Sequence, residues 1–180
     1  MRAVVQRVLS ARVEVDGQVV SQIGQGLLVL VGISESDTKE DADFLCRKIL
    51  NMRLFVNDKT GKAWDQNVMQ KNFDVLLGID ECIATLICFF FSFHCLVSQF
   101  TLYGFLKGNK PDFHLAMPPL QAKDFYSKFV EAVAHSYSKD KVKDGIFGAL
   151  MQVHLVNDGP VTLQLDSRKP GDENNHNSSS

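Results

Sequence analysis

A chain of 180 residues is long enough to close one sizeable hydrophobic core and too short for two comfortable domains. An apolar content of 45%, 22% charged residues and a formal net charge of -2 fit an ordinary soluble globular protein and argue against broad electrostatic binding along a nucleic-acid backbone. A grip on a single terminal nucleotide needs few phosphate contacts and stays compatible with this charge, with Arg7, Lys107 and Lys110 as candidates. Cys46, Cys82, Cys88 and Cys95 show no paired CxxC spacing, so neither a zinc site nor a redox pair is indicated, and they read as free thiols of a reducing compartment. Arg2 and Arg7 interrupt the first apolar stretch, which therefore does not read as a signal peptide, and a cytoplasmic location is expected.

In chain order, β-branched residues predict strands over 3–8 and 11–15, with Asp16-Gly17 as a hairpin turn, then strands over 19–23 and 27–31. Thr38 offers an N-cap, and Glu40 and Asp41 suit the positive end of a helix dipole. Ala42, Leu45, Cys46, Ile49 and Leu50 then fall on one face of a helix ending near Asn51. Residues 53–56 read as a further strand, stopped by Asn57-Asp58 and Gly61. A second helix starts near Pro119 and presents Ala122, Phe125, Tyr126, Phe129, Val130 and Val133 to the core, fading around Ser136. Residues 151–156 and 161–165 read as two strands flanking Asp158-Gly159-Pro160, and from Arg168 onward a tail without apolar anchors reads as disordered.

Residues 78–96 (GIDECIATLICFFFSFHCL) form an unusual apolar run. A membrane span needs roughly 20 mostly apolar residues; this run is interrupted by Thr85, Ser92 and His94. Cys82, Cys88, Cys95 and His94 have the residue types of a metal cluster but no common zinc spacing. A third reading is an apolar segment without function that bulges out or packs opportunistically. Residues 93–97 are themselves a plausible strand, which could replace residues 74–77 in the sheet.

Two motifs carry the chemistry: Ser98-Gln99-Phe100-Thr101-Leu102, and Asn157-Asp158-Gly159-Pro160-Val161-Thr162. By residue type alone, the first is either a polar turn after a strand or a cluster of groups facing a developing oxyanion, and the second is either an ordinary turn or a backbone aimed by glycine in an unusual direction. No GxSxG elbow, HExxH or Walker loop accompanies them, and none of the five histidines has a spacing that marks it as a base for Ser98 or Thr101.

Together the motifs resemble the bacterial and eukaryotic D-aminoacyl-tRNA deacylases, whose sites read Ser-Gln-x-x-Thr and Gly-Pro-x-Thr. Supporting blocks are residues 1–7, 24–32, 107–113 and 147–153, and the resemblance spans 1–167 except for the run at 78–96. Deleting that run joins Leu77 to Val97 and restores the family's strand-to-motif sequence, so we read it as a retained intron or an alternative exon boundary. The resemblance implies a single mixed α/β domain with barrel-like β-sheets and two main helices. It implies hydrolysis of D-aminoacyl-tRNA to free D-amino acid and tRNA, a proofreading step in translation, without metal or organic cofactor.

The site it implies comprises Ser98, Gln99, Phe100 and Thr101, with Thr101 positioning rather than attacking, and with help from the 2'-hydroxyl of the terminal adenosine of the tRNA. Gly159 and Pro160 are implied to share a cis bond and to enter the partner subunit's pocket in a homodimer, excluding L side chains by steric rejection. A filter of that kind cannot reject glycine, so glycyl-tRNA is expected to be cleaved. Met151 and Phe113 are candidates to line the adenosine pocket, although a Met or aromatic near a strand is more often core. A different outcome is an inactive isoform, in which the run at 78–96 displaces the motif and leaves only RNA or protein binding; membrane association through that run is a further alternative.

Overall fold

The computed structural model describes residues 1–78 and 100–168. Its frame is a six-stranded sheet organised around β1 (Arg2–Val15). One edge of β1 pairs first with β3 (Gly26–Gly32) and then, further along, with β2 (Gln18–Ile23); β8 (Met151–Asp166) runs antiparallel along the other edge for nearly its whole length. Beyond β3 come β4 (Asp74–Gly78) and β7 (Val142–Asp144), both parallel to their neighbours. The Ser21 hydroxyl of β2 donates to the Asp144 carbonyl of β7, drawing the two ends of the sheet toward a nearly closed barrel.

Helices α1 (Lys39–Asn51) and α3 (Pro119–Ser136) cover one face. In α1, the Asp41 carboxylate accepts hydrogen bonds from the Thr38 backbone N–H at 2.9 Å and its hydroxyl at 3.0 Å, so Thr38 and Asp41 close the first turn together. Ala42, Leu45, Cys46, Ile49 and Leu50 are buried as their spacing requires. On α3 the buried residues are Ala122, Tyr126, Phe129 and Val133, while Phe125 and Val130 are only half-buried. The period of two along the strands divides the interior into two cores. Ala3, Val5, Leu27, Val29, Val31, Val75 and Leu77 face the helices; Val8, Ala11, Val13, Ile23, Leu28, Leu76 and Met151 form a second core on the other face.

Several expectations need correction. The pairs of strands expected at 3–8 with 11–15, and at 151–156 with 161–165, are single strands crossed by register shifts near Val8 and at residues 158–160. Residues 53–56 form no strand: Leu54 and Phe55 are both buried instead of alternating, and only an isolated bridge joins Phe55 to Gln66. A one-turn helix, α2 (Val68–Lys71), follows an Asn67–Gln70 capping box. Arg168, assigned above to the tail, is anchored: its guanidinium donates to the Ser34 and Ser36 hydroxyls at 2.9 and 2.6 Å. The rest of that tail lies outside the described residues. Residues 74–77 keep their place in the sheet, and Gly78, the first residue of the apolar run, pairs with Leu30 as the end of β4. The remainder of the run, with Cys82, Cys88, Cys95 and His94, lies outside the described residues.

Candidate active site

The second half of the Ser98–Thr101 motif forms a single 3-10 turn, Phe100–Tyr103, closed by the Gly104 N–H donating to the Thr101 carbonyl at 3.1 Å. Ser98 and Gln99 lie outside the described residues. Thr101 stands exposed on this turn between two buried aromatic anchors, Phe100 and Tyr103. Phe100 meets Phe113 edge-to-face, with ring centroids 4.4 Å apart. Gly104 makes that approach possible, because a Cβ there would come within 2.6 Å of the Phe113 ring. Phe113 and the Thr101 turn are therefore one unit.

Phe113 follows the hairpin formed by β5 (Phe105–Lys107) and β6 (Lys110–Asp112). Asp112 gathers the hairpin: its carboxylate lies 2.8 Å from Lys107 Nζ and 2.6 Å from His114 Nδ1, and accepts from the His114 N–H at 3.0 Å. These partners, Lys107 first, hold its carboxyl well below the usual carboxylate range. The Lys107 charge is thus engaged within the hairpin, and both it and Lys110 are exposed at the hairpin tip.

The other motif protrudes from β8. Arg7 pairs with Val161 and Val8 with Asn157, so residues 158–160 have no partners in the ladder and form a loop. The Gly159-Pro160 bond is cis, as the resemblance implies, and Gly159 has φ +113°, a backbone conformation that L side chains rarely adopt. Both residues are exposed. At the base of the loop, the Asn157 side-chain amide donates to the Thr162 hydroxyl at 3.2 Å, and Arg7 Nε lies 2.9 Å from Asp158 Oδ2. Arg7 also donates to the Leu54 carbonyl at 2.5 Å and sits 5.7 Å from the centre of the Trp64 ring. Trp64 is itself exposed and has φ +58°, an uncommon conformation for a bulky residue.

The two motifs stand apart within one chain. The turn is tied to β1 at Arg2, whose Nη1 donates to the Leu102 carbonyl at 3.1 Å, whereas the Gly-Pro loop is tied to Arg7. Residues 2 and 7 lie in an unshifted stretch of β1, an odd number of positions apart, so their side chains leave opposite faces, roughly 17 Å apart along the strand. Met151 is not brought to either motif: it pairs with Val15 at the far end of β8, is 7% exposed, and packs in the second core. Arg2, Tyr103, Trp64 and Arg168 are neighbours of the motifs that sequence reasoning missed; only the uncommon placement of a charged Arg2 inside an apolar strand could have flagged one of them.

Among the described residues, no group of three or more His, Cys, Asp or Glu is placed to hold a metal, and no helix is long and apolar enough to cross a membrane.

A family model described as D-Tyr-tRNA(Tyr) deacylase matches residues 4–85 and 94–166, and its gap at 86–93 falls inside the apolar run. The D-aminoacyl-tRNA deacylase of Dictyostelium discoideum is 48% identical over 169 residues, covering 94% of this chain and 99% of that protein. The human D-aminoacyl-tRNA deacylase 1 is 48% identical over 171 residues, 95% of this chain and 72% of its own length. Among solved structures, one described as c-Myc DNA Unwinding Element Binding Protein superposes with a TM-score of 0.80 at 47% identity, covering 94% of this chain and all of that one. A second, described as a probable eukaryotic D-amino acid tRNA deacylase, shares the fold at a TM-score of 0.71 and 15% identity.

Proposed function

Because this chain belongs to the D-Tyr-tRNA(Tyr) deacylase family, we propose that it hydrolyses the ester of D-aminoacyl-tRNA with a site split between the Thr101 turn and a Gly159-Pro160 loop from a second copy. The observation that carries the division is that the two motifs are tethered to residues of β1, Arg2 and Arg7, whose side chains leave opposite faces of the strand. A homodimer, acting in the cytoplasm, brings one subunit's loop to the other's turn.

The ester is already reactive, so positioning and oxyanion stabilisation matter more than a strong nucleophile. Water adds to the acyl carbon, the bond to the terminal ribose breaks, and the ribose oxygen leaves as a hydroxyl, giving D-amino acid and tRNA. Backbone N–H groups at Phe100 and its neighbour face the developing oxyanion and Thr101 positions the ester, with Ser98 and Gln99 assigned to the same site by the family motif. Phe113, joined to Phe100, stacks on the terminal adenosine, and Lys107 and Lys110 stand beside it for phosphate contacts. Met151 supports the fold from the second core.

A carbonyl of the Gly159-Pro160 loop set against the substrate's α-carbon excludes an L side chain and leaves room for a D side chain. Glycine escapes such a filter, so glycyl-tRNA is cleaved; glycyl-tRNA that survives enzyme levels clearing D-aminoacyl-tRNA would refute steric rejection as the filter.

The deciding experiment is single-turnover deacylation of D-tyrosyl-tRNA and L-tyrosyl-tRNA by the full chain, beside a version lacking residues 78–96. Cleavage of the D substrate alone by both is expected. Cleavage only by the shortened version makes the full chain an inactive isoform, and silence from both overturns the deacylase reading.

A further inference from the structure

We propose that Arg2 is a positioning residue for the deacylation, fixing the Thr101 turn from the first residue of β1. The proposal rests on the deacylase reading above and assigns Arg2 a part in it.

The turn needs an external brace. It is a single 3-10 turn, a form with poorer hydrogen-bond geometry than an α-helix, and its Gly104-to-Thr101 bond reaches back just three residues. Arg2 supplies the brace through one planar group. Its Nη1 donates to the Leu102 carbonyl at 3.1 Å, its Nε donates to Asp166 Oδ2 at 2.8 Å, and its guanidinium carbon lies 4.8 Å from the centre of the Tyr103 ring. Leu102 and Tyr103 directly follow Thr101.

The anchor itself is firm. Asp166 is the residue directly opposite Arg2 across the β1–β8 ladder, and the next residue, Ser167, donates its N–H to the Met1 carbonyl at 2.9 Å. Tyr103 is 3% exposed and its buried hydroxyl has no hydrogen-bond partner among the described residues, so within them this ring is held by packing and by the cations over it. Arg168 is the second of these, 5.8 Å from the ring centre, but its guanidinium donates to the Ser34 and Ser36 hydroxyls, away from the turn backbone. Among the described residues, Arg2 is the one that joins the ring, the Leu102 carbonyl and the sheet. A lysine keeps the charge but not the fork that makes these contacts together.

The test compares R2K and R2M with R168M in the full-length protein. Saturation kinetics on D-tyrosyl-tRNA are read together with thermal melts and amide exchange of Gly104, whose N–H reports closure of the turn. R2K and R2M are expected to lower kcat by about 10- to 100-fold, the scale of misplacing a reacting group by an ångström, with KM within about twofold and faster Gly104 exchange. R168M, which removes a cation over Tyr103 but no contact to the Leu102 carbonyl, is expected to lower the melting temperature comparably while changing kcat and Gly104 exchange by less than about threefold.

Wild-type kcat and exchange in R2M overturn the proposal, as does an equal kcat loss in R168M, which would mark a general stability effect. Failure of the deacylase reading looks different: the wild-type chain then leaves D-tyrosyl-tRNA intact, and Gly104 exchange alone decides whether Arg2 holds the turn.

Discussion

Arg7 Nε and Asp158 Oδ2 lie 2.9 Å apart, yet the buried Nε–H makes no well-directed hydrogen bond among the described residues, so Arg7 attracts the residue before Gly159 by charge without pinning it by direction. The directional contact of Arg7 runs instead to the Leu54 carbonyl in the wall of the main core. Arg7 thus ties an exposed loop to a rigid body, and its loss should be felt in the aim of the loop more than in global stability. Asp158 is 37% exposed at its side chain, where an ion pair contributes about 1 kcal/mol or less. We expect R7M and D158N to reduce the preference for D- over L-tyrosyl-tRNA by about tenfold, the order of discrimination set by small changes in a pocket. Parallel rates on the two substrates measure it; an unchanged ratio in both variants would detach Arg7 from selectivity.

Gly159 leaves no room for a side chain. A Cβ there would lie 2.9 Å from Val161 Cγ2 and 3.0 Å from Arg7 Nη2, in a backbone at φ +113°. G159A should therefore shift the loop or strain it by about 1–3 kcal/mol. Because the loop is exposed, the chain relaxes locally instead of unfolding, so the melting temperature should fall by only a few degrees while deacylation drops sharply. Retained activity together with retained selectivity would show that the loop's shape is not what reads the substrate.

The helices were legible because each obeys one local rule: apolar residues at helical spacing, Thr38 and Asp41 at one N-terminus, Pro119 at the other. Register shifts were not legible, since β1 and β8 each look like two strands when read alone and become continuous only when paired. The one-turn α2 had a readable signal in Asn67 and Gln70, but four residues give no periodicity to support it. For the site, the glycines and the Gly-Pro dipeptide marked the backbone positions directly. The convergence of Arg2, Tyr103, Asp166 and Arg168 was hidden because these residues meet only after the first and last strands have paired.

The same meeting point holds a buried ion pair. The Met1 ammonium lies 2.6 Å from Asp37 Oδ1, with side-chain exposures of 0% and 1%, and Asp37 Oδ2 accepts the Ser34 N–H at 2.7 Å. Removing Asp37 leaves the buried ammonium with the Ser167 hydroxyl at 2.5 Å and Asp41 Oδ1 at 4.0 Å, so the loss should lie toward the lower end of the about 3–5 kcal/mol typical of breaking a buried pair. D37A should lower the denaturant midpoint accordingly, without a change in the slope of the transition. A loss below about 1 kcal/mol would mean that water reaches the ammonium and that the pair is not the closure it resembles.

Asp112 gives a prediction in pH. Its carboxyl is depressed in the folded chain, first by Lys107 and then by His114, so the hairpin gains stability from it at pH values above the ordinary aspartate value of about 3.9. The sign follows from the depression: as the medium is acidified, an unfolded chain takes up the proton first, and the folded clamp weakens only as pH falls through its own lower value. Asp112 should remain ionised near pH 3, where an ordinary aspartate is mostly protonated, and the carboxylate carbon shift of this residue between pH 6 and pH 2.5 measures it directly. D112N should remove the Lys107 ion pair and loosen the hairpin ahead of Phe113, seen as faster amide exchange at Lys107 and Lys110. Titration of Asp112 near pH 4 would show that Lys107 and His114 do not close on it in solution, and the route from hairpin to Phe113 to the Thr101 turn would then lose its first link.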